Sequence, residues 1–110
     1  MTKTDVKSES IDNEKSRSQF PRDSIFVGSK PVMSYVTAVM MHFSGNMSEL
    51  TVKARGNAIS RAVDVVEVCR RRFFNDQLTV GDITIGTDVI GESGDTRNVS
   101  TMEIKLNKSD

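Results

Sequence analysis

Between Leu50 and Arg55 apolar and polar residues alternate strictly, so Leu50, Val52 and Ala54 fall on one face of an extended strand and Thr51, Lys53 and Arg55 on the other. Gly56-Asn57 interrupts this pattern and the period then lengthens. At roughly 100° per residue from Ala58, Ala58, Ile59, Ala62, Val63, Val65, Val66, Cys69 and Phe73 share one broad arc, opposite Ser60, Asp64, Glu67 and Arg71. A half-buried strand with outward-facing cations thus turns directly into an amphipathic helix that ends in Arg70-Arg71-Arg72 and Phe73-Phe74. The width of the apolar arc leaves surface for a second copy of the chain, with Val65, Val68 and Phe74 as candidate contacts.

The same reading extends to either side. Residues 1–23 are rich in Ser, Lys, Glu, Asp and Asn, and Val6 and Ile11 are the only aliphatic residues between Met1 and Phe20. Such a segment buries too little surface to offset its ordering entropy, which predicts a flexible polar tail followed by one domain over 24–108. Residues 24–28 read as a short strand stopped by Gly28. Pro31 suits the first position of a helix, where its missing N–H has no partner to lose. Val32, Val36, Val39 and Phe43 continue that helix at spacings of four, three and four, flanked by Met33 and Met40, until Ser44-Gly45-Asn46. Leu78 to Ile90 predicts a long third strand, with Ile83 and Ile85 alternating with Thr84 and Gly86. Gly91 to Asp95 reads as a turn, and Val99 to Leu106 as a fourth strand that closes a long hairpin. The order predicts an α+β fold: a compact β-α-β-α-β-β domain whose four-stranded mixed sheet carries both helices on one face. That topology also brings Lys30, in the first loop, towards Lys53 and Arg55.

Charge sharpens the picture. The chain is neutral overall, with 15 bases and 15 acids, yet residues 25–74 hold seven bases and three acids while residues 75–110 hold three and seven. A cationic face on a neutral protein follows, opposed by an acidic C-terminal part that weakens long-range attraction of a polyanion. No apolar run approaches the roughly 18 residues of a membrane helix, and no signal-peptide pattern opens the chain, so a soluble cytoplasmic protein is expected. Cys69 is single and lies on the apolar arc, which assigns it to the core and leaves neither an intrachain disulfide nor a cysteine metal cluster. His42 lies off the apolar stripe, with no second His and no paired carboxylate at ligand spacing. The loop from Gly91 to Asp95 precedes a strand and contains two acids and no Lys, so it is no phosphate cradle. Nothing forms a nucleophile, base and orienter set, and neither an enzyme, a cofactor nor a small-molecule substrate is expected.

Three segments, Ile25 to Val36 (IFVGSKPVMSYV), Lys53 to Asp64 (KARGNAISRAVD) and Val99 to Ile104 (VSTMEI), closely resemble the Alba family of archaeal chromatin proteins, and they occur in the family's order. The resemblance implies a dimer, of one chain or with a paralogue, that coats and compacts double-stranded DNA with little sequence preference and stays associated with the chromosome. RNA binding in processing, stability or translation is the alternative it implies. Carried over residue by residue, it points to Ser29, Lys30, Lys53, Arg55 and Asn57 as nucleic-acid contacts, to Arg97 as the base near the hairpin tip, and to Phe73 as a contact between dimers. Phase alone would place Phe73 in the core. The chain departs from the family where Ser29-Lys30 stands for two adjacent lysines, one of them the family's acetylation site. Asn57 stands where relatives often have a base, and Asp88, Glu92 and Asp95 make the hairpin acidic. Each departure weakens electrostatic binding.

Overall fold

The computed structural model describes residues 23–109, so the predicted flexible tail lies outside the described residues apart from Asp23. Strand β1 spans Ser24–Phe26, helix α1 Val32–Ser44, strand β2 Glu49–Arg55 and helix α2 Ala58–Val68. A π turn over Cys69–Phe73 and a 3-10 turn over Asn75–Gln77 then lead into β3, Leu78–Glu92, and β4, Asp95–Lys108. The sheet order is β1-β2-β4-β3, with β1 parallel to β2 and β4 antiparallel to both of its neighbours. This is the predicted mixed α+β sheet. Pro31 differs slightly from expectation: it is the residue before the helix, with extended backbone, and its carbonyl accepts the N–H of Ser34 at 3.0 Å. Its missing N–H is equally harmless there.

Alternation along the strands decides which face meets the helices. Leu50, Val52 and Ala54 of β2 and Ile104 and Leu106 of β4 are buried in one cluster with Val36, Val39 and Phe43 of α1 and Ala62, Val65 and Val66 of α2. Each Val, Leu, Ile or Phe side chain among them contributes about 1.5–3 kcal/mol by leaving water. The opposite sheet face carries Phe26, Thr51, Lys53, Arg55 and Glu103, and among the described residues no helix lies over it. Cys69 is fully buried and its burial pushes the thiol up to about 11, which fits the packing role read from sequence. His42 serves the fold, because its Nε2–H donates to the Glu49 carbonyl at 2.7 Å and ties the end of α1 to the start of β2.

β3 contains a bulge. Val80 pairs with Leu106 and Ile83 with Ile104, so β3 spends one residue more than β4 over this interval. The extra residue resets the alternation and puts Ile83 and Ile85 on the same face as Leu78 and Val80. The hairpin is also longer than predicted, its ladder running to the pair Glu92–Asp95. Gly91 makes this possible, because at φ 115° a Cβ would run into the Asp95 carbonyl oxygen.

The end of α2 corrects the helical phase. The N–H of Phe74 bonds to the carbonyl of Cys69, five residues back, at 2.9 Å. One extra residue in a turn rotates everything after it by about 100° relative to an uninterrupted helix. Phe73 therefore leaves the apolar arc and is 41% exposed, while Phe74 swings inward and meets Phe43 edge-on at 5.6 Å between ring centres. One of the predicted dimer contacts is overturned by packing within one chain, since Val65 is fully buried, while Phe74 is partly buried against the core. Val68, the third, is partly buried and packs on that cluster as well. Phe74→Ala should cost about 2–3 kcal/mol in urea unfolding, below the roughly 3–5 of a wholly buried ring, whereas Phe73→Ala should shift stability by less than about 1 kcal/mol. Equal losses for the two variants would contradict the rotated phase.

Candidate nucleic-acid interface

Parallel pairing of β1 and β2 sets the geometry of one end of the sheet. Phe26 stands opposite Lys53, and the N–H of Val27 bonds to the Lys53 carbonyl at 2.8 Å, so the loop of residues 28–30 leaves the sheet beside the end of β2. The β3–β4 arm leaves at this same end, because β2 stops pairing at Arg55–Thr101 while β3 and β4 continue to Glu92–Asp95. A loop bearing Lys30, a strand end bearing Lys53 and Arg55, and a two-stranded arm bearing Arg97 are thereby gathered on one side of the molecule.

The loop is held rigidly. The Tyr35 hydroxyl accepts the N–H of Gly28 at 2.8 Å and that of Lys30 at 3.1 Å, while the Arg61 guanidinium donates to the Gly28 carbonyl at 2.8 Å. Ser29 and Lys30 project from this fixed backbone and are exposed. Neither Tyr35 nor Arg61 was singled out from sequence. Tyr35 follows Gly28 by seven positions, and only the turn between β1 and α1 brings its hydroxyl back over the loop.

Lys53 and Arg55 do face away from the core, as alternation requires, but each meets a carboxylate. Lys53 Nζ lies 4.0 Å from Glu103 Oε2 and Arg55 Nη1 lies 3.9 Å from Asp88 Oδ2. Register explains both ion pairs: Lys53 and Glu103 are direct cross-strand partners, and Arg55 reaches across β4 to β3. Lys53 Nζ also sits 5.5 Å above the centre of the Phe26 ring. Both ion pairs are solvated and weak, about 0–1 kcal/mol each.

Asn57 is exposed at the start of α2, and its side chain does not cap the helix, which leaves the amide to reach outward. Gly56 sets it there, taking φ 58° between strand and helix and donating its N–H to the Ser100 carbonyl at 2.8 Å. Arg97 is exposed opposite Ile90 near the hairpin tip. Phe73 stands apart, exposed at the far end of the α2 extension. The arginine run beside it is partly neutralised, since Arg70 donates to Glu67 at 2.7 Å and Arg71 at 3.2 Å. These bonds, Arg70's first, hold the Glu67 carboxyl below its ordinary range. Among the described residues no group of three or more His, Cys, Asp or Glu is placed to hold a metal ion.

Comparison with known proteins gives one consistent answer. The family model for Alba matches residues 23–87. The DNA/RNA-binding protein Alba 1 of Archaeoglobus fulgidus is 52% identical over 86 residues, which cover 78% of this chain and 96% of that protein. The DNA/RNA-binding protein Alba of Methanothrix thermoacetophila is 50% identical over 86 residues, 78% of this chain and 96% of that protein. Among solved structures, Alba from Thermoplasma volcanium superposes with a TM-score of 0.72 at 41% identity, covering 77% of this chain and 99% of that one. ALBA1 from Trypanosoma brucei does so with a TM-score of 0.68 at 30% identity over 83% of this chain and 73% of that one. With its sequence motifs, its sheet order and these relatives in agreement, the chain belongs to the Alba family.

Proposed function

We propose that this protein is a nucleic-acid-binding protein that coats double-stranded DNA as a dimer without reading its sequence, in association with the chromosome. The observation that carries this reading is the convergence of Lys30, Lys53 and Arg55 with an extended two-stranded arm at one end of the sheet. Cations held on a rigid backbone neutralise phosphates, and a ribbon of two strands fits a groove. Relatives at about half identity are named DNA/RNA-binding proteins, which supports the chemistry and keeps RNA as the second reading. Binding measured at one salt concentration to duplex DNA, duplex RNA and single strands separates the two. No helix among the described residues is long and apolar enough to cross a membrane.

Phosphate binding predicts a salt signature. Lys30→Ala, Lys53→Ala and Arg55→Ala should each weaken binding to every duplex sequence alike and flatten the slope of log K against log salt by about one unit for each phosphate no longer neutralised. Tyr35→Phe should weaken binding with the slope unchanged, since it loosens the loop without removing a charge. Titrations at several salt concentrations test this, and weakening confined to one DNA sequence would overturn it.

The dimer reading rests on surface that one chain leaves bare. The bulge in β3 aims Ile83 and Ile85 to the helix side of the sheet at its edge strand, yet they are 54% and 74% exposed, and Val89 is 68% exposed on the same face. A symmetric partner would cover this stripe. Sedimentation should give a dimer mass at micromolar concentration, and Ile85→Asp should weaken association at least about tenfold, or ~1.4 kcal/mol. A monomer mass for the unaltered protein would rule the dimer out. Exposed Phe73 is the proposed contact between dimers: Phe73→Ala should bind a short duplex normally and lose cooperativity on long DNA. Unchanged cooperativity would remove that role.

A further inference from the structure

The sheet face turned away from the helices holds a half-exposed aromatic ring, Phe26. Phe26 is 54% exposed and lies in register beside Lys53, which in turn lies beside Glu103, so ring, cation and carboxylate form one row across β1, β2 and β4. Arg55 stands two residues further along the same face, about 6.6 Å away at strand rise. Phe26, Lys53, Arg55, Asp88, Thr101 and Glu103 border one shallow depression on this face. Alternation makes Phe26 point outward, although a core aromatic in a short strand would be the ordinary use of such a residue. An exposed aromatic flanked by cations on the uncovered face of a sheet is the physical arrangement that holds an unpaired base: the π face stacks and the cations take the adjoining phosphates.

Resting on the nucleic-acid reading above, we propose that Phe26 is a stacking platform for an unpaired nucleobase, and that the depression beside it is a single-strand site distinct in chemistry from the duplex surface. Lys53 couples the two parts. Its ammonium sits above the ring and near Glu103, and a strand phosphate draws it towards the arriving backbone. Paired bases present no face to Phe26, so the ring contributes to single strands and not to duplexes.

The test uses the full chain with a 20-nucleotide oligothymidylate, a 20-nucleotide oligouridylate and a 20-base-pair duplex at one low salt concentration. Phe26→Ala should weaken both single strands by about fivefold to a hundredfold while changing duplex binding by less than about twofold. The two single strands distinguish DNA from RNA as the source of the base. The chain has no tryptophan and one tyrosine, so Phe26→Trp provides a lone indole that can be excited selectively over Tyr35. It should keep single-strand affinity and be quenched on adding either oligonucleotide, and should not be quenched by the duplex. Equal weakening of single strand and duplex by Phe26→Ala would show that the ring only positions Lys53, and an unquenched Trp variant would show that no base stacks there. Either result overturns the proposal with nucleic-acid binding intact. Failure of the unaltered protein to bind any of the three probes would instead remove the nucleic-acid reading itself.

Discussion

The alternation along β2 is the constraint on which the rest depends. β2 is a central strand, with β1 on one side and β4 on the other. Its inward residues Leu50, Val52 and Ala54 are 1%, 0% and 8% exposed, and its outward residues are Thr51, Lys53 and Arg55. A slip of one residue in its register would drive two cations into the core and send three apolar side chains to solvent, a change that no interaction elsewhere could offset. The same strand therefore fixes both the core and the cationic face. Gly56 joins this strand to α2 through a single left-handed residue, so the helix that covers the core also sets where Asn57 points.

Electrostatics on the open face work by exchange. The chain places Glu103 and Asp88 against the two cations that face outward from β2. Solvated pairs at these distances contribute little to stability. Carboxylates in these positions occupy the ground a phosphate would take, and a polyanion must displace them. Under the proposed nucleic-acid reading, binding is weaker than the bases alone would give, and counterions taken up by the freed carboxylates reduce its dependence on salt. This matches the neutral net charge of the chain better than a uniformly basic surface would.

The π turn at the end of α2 resolves a competition for the last helical turn. Two consecutive phenylalanines cannot both enter a core already closed by Val65, Val66 and Cys69. Widening one turn selects Phe74, which completes an aromatic pair with Phe43, and turns Phe73 outward. Arg70 and Arg71 at the same place are held by Glu67, which favours a local ion-pair role for them over one in ligand binding.

Much of this was written in local pattern. Strict alternation at Leu50 to Arg55 and the helical arcs of α1 and α2 determined the elements, the core positions and the outward cations, because side-chain direction follows backbone period. Three motifs determined the family. Tertiary structure alone decided the remainder, for reasons that local pattern does not carry. The bulge in β3 and the π turn each insert one residue and reset a phase, and such insertions answer to packing partners far away in sequence. The bulge turned Ile83, Ile85 and Val89 to the helix side as a bare apolar stripe, and the π turn exchanged Phe74 for Phe73 as the exposed ring. The ion pairs of Lys53 and Arg55, the hold of Tyr35 and Arg61 on the first loop, and the placing of Phe26 beside Lys53 all join different strands or helices. They exist only once register brings distant residues to adjacent positions, since a side chain's own sequence fixes which way it points but not what it meets.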